Sequence, residues 1–295
     1  MDLQSQYLAM VGSTIDGKYR LDALVGHGSS GAVYRATNIW AGRECAVKVF
    51  QYDGEHRELA LQRFVREAQV CNRVRREGRV HPHVVDCLDV GRDGSTGVFF
   101  TVQEFLTGQT LDAHLQSLPG RRLAVGPAVS LLLPVIDAIA CAHEAGVVHR
   151  DLKPENIFLV NLGDGVTPKV LDFGIAQLSD ARLTRARDIL GTPSYMAPES
   201  FMDASRVDAR ADIWALGVIL YECVSGKTPF GQGAPTLLAV MTEIATREPP
   251  SLEAAGLMHG PMWQVVRRCL QKDQEQRYAN ARSLKDALDQ LFFSI

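Results

Sequence analysis

The apolar pattern of this chain shifts from mainly alternating to mainly helical spacing near residue 105, and that shift limits the folds open to it. Up to about residue 105 apolar residues tend to recur at every second position, in short runs bounded by turn residues. From Thr110 onward helical spacing dominates. Alternation suits a strand with one buried face, and helical spacing suits a helix with one buried stripe. Residues 1–18 read as a leader ending in the turn Asp16-Gly17. Tyr19–Val25 and Ala32–Ala36 read as strands around the glycine-rich turn at Gly26–Gly31, followed by strands at Glu44–Phe50, Val84–Val90 and Val98–Phe105. Residues 57–76 form the one helical interruption, with Leu61, Phe64, Val65, Ala68 and Cys71 on one face. In the second part, Ala128–Ala145 and Ala211–Val224 read as buried helices, the former kinked at Pro134. Met262–Leu270 and Ser283–Phe292 read as amphipathic helices, and Ile157–Leu159 and Lys169–Leu171 as short strands. The expected class is α+β and bilobal: a small β-rich lobe over about 19–105 and a larger, mainly α lobe over about 106–292.

Composition removes several alternatives. A chain of 295 residues can bury two substantial cores. The formal net charge of -3 argues against a nucleic-acid partner. The six cysteines include no closely spaced pair, which argues against structural zinc and against a disulfide framework. The start of the chain lacks the charged and apolar regions of a signal peptide. The longest strongly apolar run, Ile213–Tyr221, is too short to span a bilayer. The expectation is a cytoplasmic location with no membrane segment in this chain, any anchor of a longer parent lying beyond residue 295.

The densest chemistry lies in His149-Arg150-Asp151-Leu152-Lys153-Pro154-Glu155-Asn156. Phosphoryl transfer needs a group that orients the attacking hydroxyl, a positive charge near the moving phosphate and an oxygen ligand for Mg²⁺. Asp151, Lys153 and Asn156 supply those types in that order; the competing reading is a polar turn closing a helix. Gly26, Gly28 and Gly31 have the spacing of a loop whose bare backbone approaches phosphates. The same spacing occurs in dinucleotide folds, where a helix follows; here Ala32-Val33-Tyr34-Arg35 reads as a returning strand. Lys48 lies in the apolar strand Cys45-Ala46-Val47-Lys48-Val49 and needs a partner, for which Glu67 is the choice. Asp172-Phe173-Gly174 follows a short strand and suits a metal ligand on a mobile segment.

These motifs, followed by Gly191-Thr192-Pro193 and Ala197-Pro198-Glu199, stand in the order and context of one family. The sequence resembles the protein kinases, specifically bacterial Ser/Thr kinases of the eukaryotic-like (Hanks) type, over residues 19–292. The resemblance implies the bilobal kinase fold, ATP and Mg²⁺ as cofactors, and protein substrates. It implies that Gly26, Gly28 and Gly31 cover the phosphates, that Val33 and Ala46 pack on adenine, and that Lys48, paired with Glu67, holds the α and β phosphates. The Glu104 carbonyl and the Leu106 N–H are implied to meet the adenine edge. Asp151 and Lys153 become the catalytic pair, and Asn156 and Asp172 the metal ligands. His149 is a packing residue under Phe173, Asp212 orients the catalytic loop, and Glu199 and Arg277 form a buried ion pair. Gln103, at the back of the adenine pocket, is polar where a large apolar group is common in the family.

Regulation follows from the same resemblance. Arg150, just before Asp151, suits a guanidinium that binds an activation-loop phosphate. Of Ser179, Thr184, Thr192 and Ser194 in the loop 175–194, the expected acceptor is Thr184, between Arg182 and Arg185, and the expected outcome is autophosphorylation that raises activity. A homodimer is the arrangement that this suggests. Thr192 resembles the threonine that bonds to the catalytic aspartate and lysine. Two other readings compete. A pseudokinase scaffold would be free to lose the catalytic inventory, which is complete here. A small-molecule phosphotransferase of related fold would generally lack the 191–193 turn and the 197–199 platform.

Overall fold

The computed structural model describes residues 3–28, 31–50, 73–76, 78–163, 165–173, 193–203, 206–257 and 259–292. The chain divides into two compact units. One holds residues 1–72 and 85–107, the other residues 73–84 and 108–295.

The first unit is built on an antiparallel sheet in the order β1-β2-β3-β4-β8-β7. Its strands are β1 (Thr14–Ile15), β2 (Tyr19–Gly28), β3 (Gly31–Asn38), β4 (Arg43–Phe50), β7 (Cys87–Arg92) and β8 (Phe99–Glu104). Alternation sets which face is buried. Tyr34 and Ala36 of β3, Cys45, Val47 and Val49 of β4, and Phe100 and Val102 of β8 share one core. At the far end of the sheet Asp93 caps the β7–β8 connection, its carboxylate accepting hydrogen bonds from the backbone N–H and hydroxyl of both Ser95 and Thr96.

Residues 3–18, expected as a leader, are built into this unit. Helix α1 (Leu3–Ala9) and β1 bring Tyr7 and Ile15 into the sheet core. The Asp16 N–H donates to Asp93 Oδ2 at 2.7 Å, and Lys18 and Tyr19 both bond to Asp89. The segment lacks alternation because one tyrosine and one isoleucine carry its burial.

The second unit surrounds two buried helices, α3 (Val125–Glu144) and α5 (Arg210–Ser225). Helix α3 continues through Pro134 as a single element. By length and composition it is long and apolar enough to cross a membrane. Here it packs on α5, on β11 (Val166–Val170) and on α8 (Ala281–Phe292). Its Asp137 receives hydrogen bonds from Arg76 and Arg282, each at 2.7 Å, and meets His81 at 3.2 Å. Helix α7 (Gly260–Cys269) lies against α5. Among the described residues the other α-helices are α2 (Leu111–Ser117), α4 (Glu199–Met202) and α6 (Leu237–Thr246).

Two further details differ from the sequence expectations. Helical spacing was read through residue 76, yet β5 (Arg75–Arg76) pairs with β6 (Arg79–Val80) around Gly78 at φ +78°. Val84, expected to begin a strand of the first sheet, instead forms a parallel bridge to Val170, and the Val170 N–H donates to the His83 carbonyl at 2.8 Å. Residues 73–84 therefore group with the second unit, tied there by Asp137 and β11. Most of the helix expected over 57–76, including Glu67, lies outside the described residues.

Lys272 of this second unit carries a stability prediction. Its Nζ is buried without a hydrogen-bond partner, 4.1 Å from the Phe230 ring centroid and 4.9 Å from that of Trp214. Burial lowers its pKa from 10.5 to about 8. A depressed lysine pKa means that folding disfavours the ammonium. That cost is full below pH 8 and fades as pH rises toward 10.5. After the lost cation–π contacts are deducted, Lys272→Met should stabilise the protein at pH 7 by about 1 kcal/mol. Urea denaturation at pH 7 and pH 10 checks this: the gain should shrink at the higher pH, and a loss at pH 7 would show that the aromatic contacts dominate.

Candidate functional site

In the first unit the candidate residues share the sheet face opposite the core. Val33 of β3 pairs with Lys48 of β4, and Lys48 pairs with Thr101 of β8. Ala46 pairs with Gln103. The two-residue period thus puts Val33, Ala46, Lys48, Thr101 and Gln103 on one surface, with an apolar section beside a buried ammonium. Lys48 is buried, and its Nζ lies 5.3 Å from the Phe50 ring centroid. Thr101 Oγ1 is buried without a hydrogen-bond partner, so this face retains a polar atom to satisfy. Thr101 was not singled out in the sequence; its place opposite Lys48 was the available signal. Glu104 ends β8, its N–H donating to the Asp86 carbonyl and its carboxylate accepting from the Asp86 N–H. Leu106 follows, half-buried, outside any strand.

The glycine-rich turn joins β2 to β3 as an antiparallel hairpin, closed by the pair Gly28 and Gly31. No helix follows it, so the dinucleotide-fold alternative falls. The three motif glycines are present for different reasons. Gly31 has φ +136°, and a Cβ there would stand 2.0 Å from the Val49 carbonyl oxygen. A Cβ on Gly26 or Gly28 would meet nothing within 4 Å. Gly31 is therefore required by the fold, while the open space at Gly26 and Gly28 leaves bare backbone to a ligand. Gly31→Ala should cost more than about 1 kcal/mol, whereas Gly28→Ala should stay within about 0.5 kcal/mol of the parent. Thermal denaturation of both variants tests the contrast; equal losses would contradict it.

In the second unit the octet forms one hydrogen-bonded cluster. Asn156 ends a short 3-10 turn, Pro154–Asn156. Its Nδ2 donates to the Asp151 carbonyl at 2.7 Å and to Asp151 Oδ2 at 3.1 Å. Lys153 Nζ lies 3.2 Å from Asp151 Oδ2. Because the amide nitrogen is turned to Asp151, Oδ1 is the atom of Asn156 with metal-ligand chemistry. Asp172 leaves the same end of the β10–β11 hairpin: β10 is Ile157–Asn161, Ile157 pairs with Val170, and the Leu171 N–H donates to the Asn156 carbonyl at 2.8 Å. Both carboxamide and carboxylate are hard oxygen donors of the kind that Mg²⁺ accepts. The oxygen donor set of the second unit fits Mg²⁺, and the bare glycine backbone of the first fits a phosphate.

The cluster is held from below by Asp212. This carboxylate, buried in the first turn of α5, accepts the backbone N–H of His149 at 2.8 Å and of Arg150 at 2.9 Å. It also meets His143 Nε2 at 2.9 Å. Burial opposes its ionisation, but the contacts with His143 and His149 outweigh that and hold its pKa below the usual carboxylate range. The N-terminal end of a helix adds in the same direction. His143 was not identified from the sequence; its partner is 69 residues away. His149 packs on Phe173 with ring centroids 4.7 Å apart. Its Nε2 meets the Leu171 carbonyl at 2.9 Å and its Nδ1 accepts from the Asp151 N–H at 3.3 Å. Both ring nitrogens are thus occupied, which leaves Asp151 as the base candidate of this loop. Arg150 and Asp172 adopt φ of +66° and +40°. Non-glycine residues pay for such conformations, and such strain concentrates at functional sites.

The platform beyond is also tied down. Glu199 and Arg277 form a buried bidentate pair with distances of 2.6 and 2.8 Å. The Tyr195 hydroxyl donates to Glu222 at 2.6 Å, and burial, then the neighbouring carboxylate, drives its pKa upward. Glu67, Thr184 and Thr192 lie outside the described residues. Asp151, Lys153 and Asn156 are directly bonded within the second unit, with Asp172 at the adjoining hairpin end. Gly26, Gly28, Gly31, Val33, Ala46, Lys48, Glu104 and Leu106 belong to the first.

A family model described as the protein kinase domain matches residues 19–293. The serine/threonine-protein kinase Pkn1 of Myxococcus xanthus is 39% identical over 279 residues, covering 92% of this chain and 38% of that protein. PrkC of Bacillus subtilis, also a serine/threonine-protein kinase, is 30% identical over 282 residues, covering 94% of this chain and 41% of that protein. The chain therefore spans about two fifths of the length of these relatives. The crystal structure of the Mycobacterium tuberculosis PknI kinase domain superposes with a TM-score of 0.71 at 26% identity, covering 95% of this chain and 98% of that one.

Proposed function

The chain belongs to the protein kinase domain family, and from that premise we propose that it transfers the γ-phosphate of ATP to serine and threonine hydroxyls of proteins. The observation that carries this reading is the Asp151 carboxylate, held by Asn156 and flanked by the Lys153 ammonium at 3.2 Å. A carboxylate so oriented accepts the proton of an attacking hydroxyl, and the neighbouring ammonium steadies the negative charge of the moving phosphoryl group. Gly26 and Gly28 offer backbone donors to the phosphates. Lys48, partnered by Glu67, holds the α and β phosphates, and Val33 and Ala46 cover adenine. Glu104 and Leu106 bond its edge through the backbone. Asn156 and Asp172 would hold Mg²⁺, which when bound neutralises charge on the phosphate oxygens. Protein acceptors, rather than small molecules, are favoured by the anchored 197–199 platform.

Regulation is part of the same proposal. Thr184 accepts phosphate from a second copy of the chain, and Arg150 binds the product through its guanidinium. By family resemblance Thr192 is assigned to the catalytic aspartate and lysine. Purified protein incubated with Mg·ATP should acquire phosphate on Thr184, detected by peptide mass spectrometry. Lys48→Met should abolish that mark, and Thr184→Ala should lower activity toward an added protein acceptor. Fully active protein unmodified at Thr184 would overturn the loop assignment, and absence of ADP release with any acceptor would count against the kinase reading itself.

A further inference from the structure

The N-terminal helix meets the glycine-rich hairpin through Tyr7. Tyr7 of α1 is buried. Its backbone carbonyl accepts the hydroxyl of Tyr34 at 2.9 Å, and its ring lies 5.8 Å from that of His27 at an interplanar angle of 34°. Tyr34 belongs to β3 and His27 to β2, so Tyr7 joins both strands of the hairpin. Val33, next to Tyr34, and Gly26 and Gly28, on either side of His27, are residues assigned above to the nucleotide.

The hairpin has reason to need such support. Strand β2 loses regular register twice, between Leu21 and Ala23 and between Leu24 and Gly26. Irregularities of this kind bend a strand and weaken its ladder. They lie between the base of the hairpin and its glycine-rich tip. Tyr7 is itself anchored beyond the helix: the Gly12 N–H donates to the Leu21 carbonyl at 2.7 Å, and the Leu21 N–H donates to the Ser13 carbonyl at 2.9 Å. The N-terminal segment therefore holds the hairpin at its base through Gly12 and Ser13 and again near its tip through Tyr7.

We propose that Tyr7 is a positioning residue for nucleotide binding, holding the glycine-rich hairpin in place through His27 and Tyr34; this rests on the kinase reading above. Tyr7 acts through the hairpin. His27 is exposed, so its removal tests the contact without opening the core.

Titration calorimetry with Mg·ATP on the full chain tests the proposal. His27→Ala and Tyr7→Leu should each raise Kd by about 2- to 10-fold, the range expected for losing an aromatic pair. The double variant should bind no worse than the weaker single one, because both remove the same contact. Tyr7→Phe, which keeps the ring and the backbone carbonyl, should bind as wild type. The melting temperature of His27→Ala should not change, which separates positioning from unfolding. Single variants that bind as wild type, or effects that add in the double variant, overturn the inference alone. A wild-type protein that binds no Mg·ATP overturns the kinase reading and this inference with it.

Discussion

Asp151→Asn should reduce kcat by about 10²- to 10⁴-fold, the usual worth of a positioned general base. The substitution retains size and removes only the charge and the proton-accepting power. The Asp151 backbone carbonyl still receives the Asn156 amide at 2.7 Å, so the loop should keep its shape. Asp212 still holds the backbone of His149 and Arg150 from beneath. The expected signature is therefore a collapse in turnover with unchanged Mg·ATP affinity and melting temperature. A variant retaining a third of wild-type kcat would remove Asp151 from the chemistry. A variant that loses both affinity and stability would show that its role is structural.

Arg277→Leu should be the most destabilising single change considered, at about 3–5 kcal/mol. Arg277 does more than pair with Glu199. Its guanidinium also donates to the carbonyls of Gln271, Arg210 and Lys272, at 2.8, 3.1 and 3.3 Å, and lies 5.1 Å from the Trp214 ring centroid. Removing it strands a buried carboxylate and weakens the support of three carbonyls. For a chain of this size the melting temperature should fall by about 10 °C. Adding Glu199→Gln should recover part of the loss by removing the buried charge, but not all, because the carbonyls remain deprived. Chemical denaturation of the two variants decides this. A double variant less stable than Arg277→Leu would contradict the charge-burial account.

What the sequence made legible was local. Alternation identified β2, β3, β4 and β8 because each strand has one core face, and the returning strand after the glycines separated a hairpin from a dinucleotide turn. Asp151, Lys153 and Asn156 were legible because their spacing is itself their geometry: five residues of chain bring the carboxamide onto the carboxylate. Long-range partners were not. Arg76, His81 and Arg282 were not legible as partners of Asp137, since they lie 61, 56 and 145 residues from it. That cluster, with β11, explains why residues 73–84 group with the second unit, against the simple order of the chain. The packing of residues 3–18 was not legible for a related reason. The burial of this segment depends on single residues meeting a distant strand, and one tyrosine produces no periodicity. The role of Gly31 was legible only as a motif letter; the close approach of the Val49 carbonyl supplies its physical cause. Asp212 and the Glu199–Arg277 pair were anticipated through family resemblance, and no spacing argument would have joined residues 62 to 78 positions apart.

The most direct test is phosphoamino-acid analysis of the purified chain, incubated with γ-labelled Mg·ATP and a protein acceptor. The label should appear on serine and threonine in wild type and vanish in Asp151→Asn. Label confined to tyrosine or released only as free phosphate, or equal labelling of the two proteins, would contradict the proposed reaction.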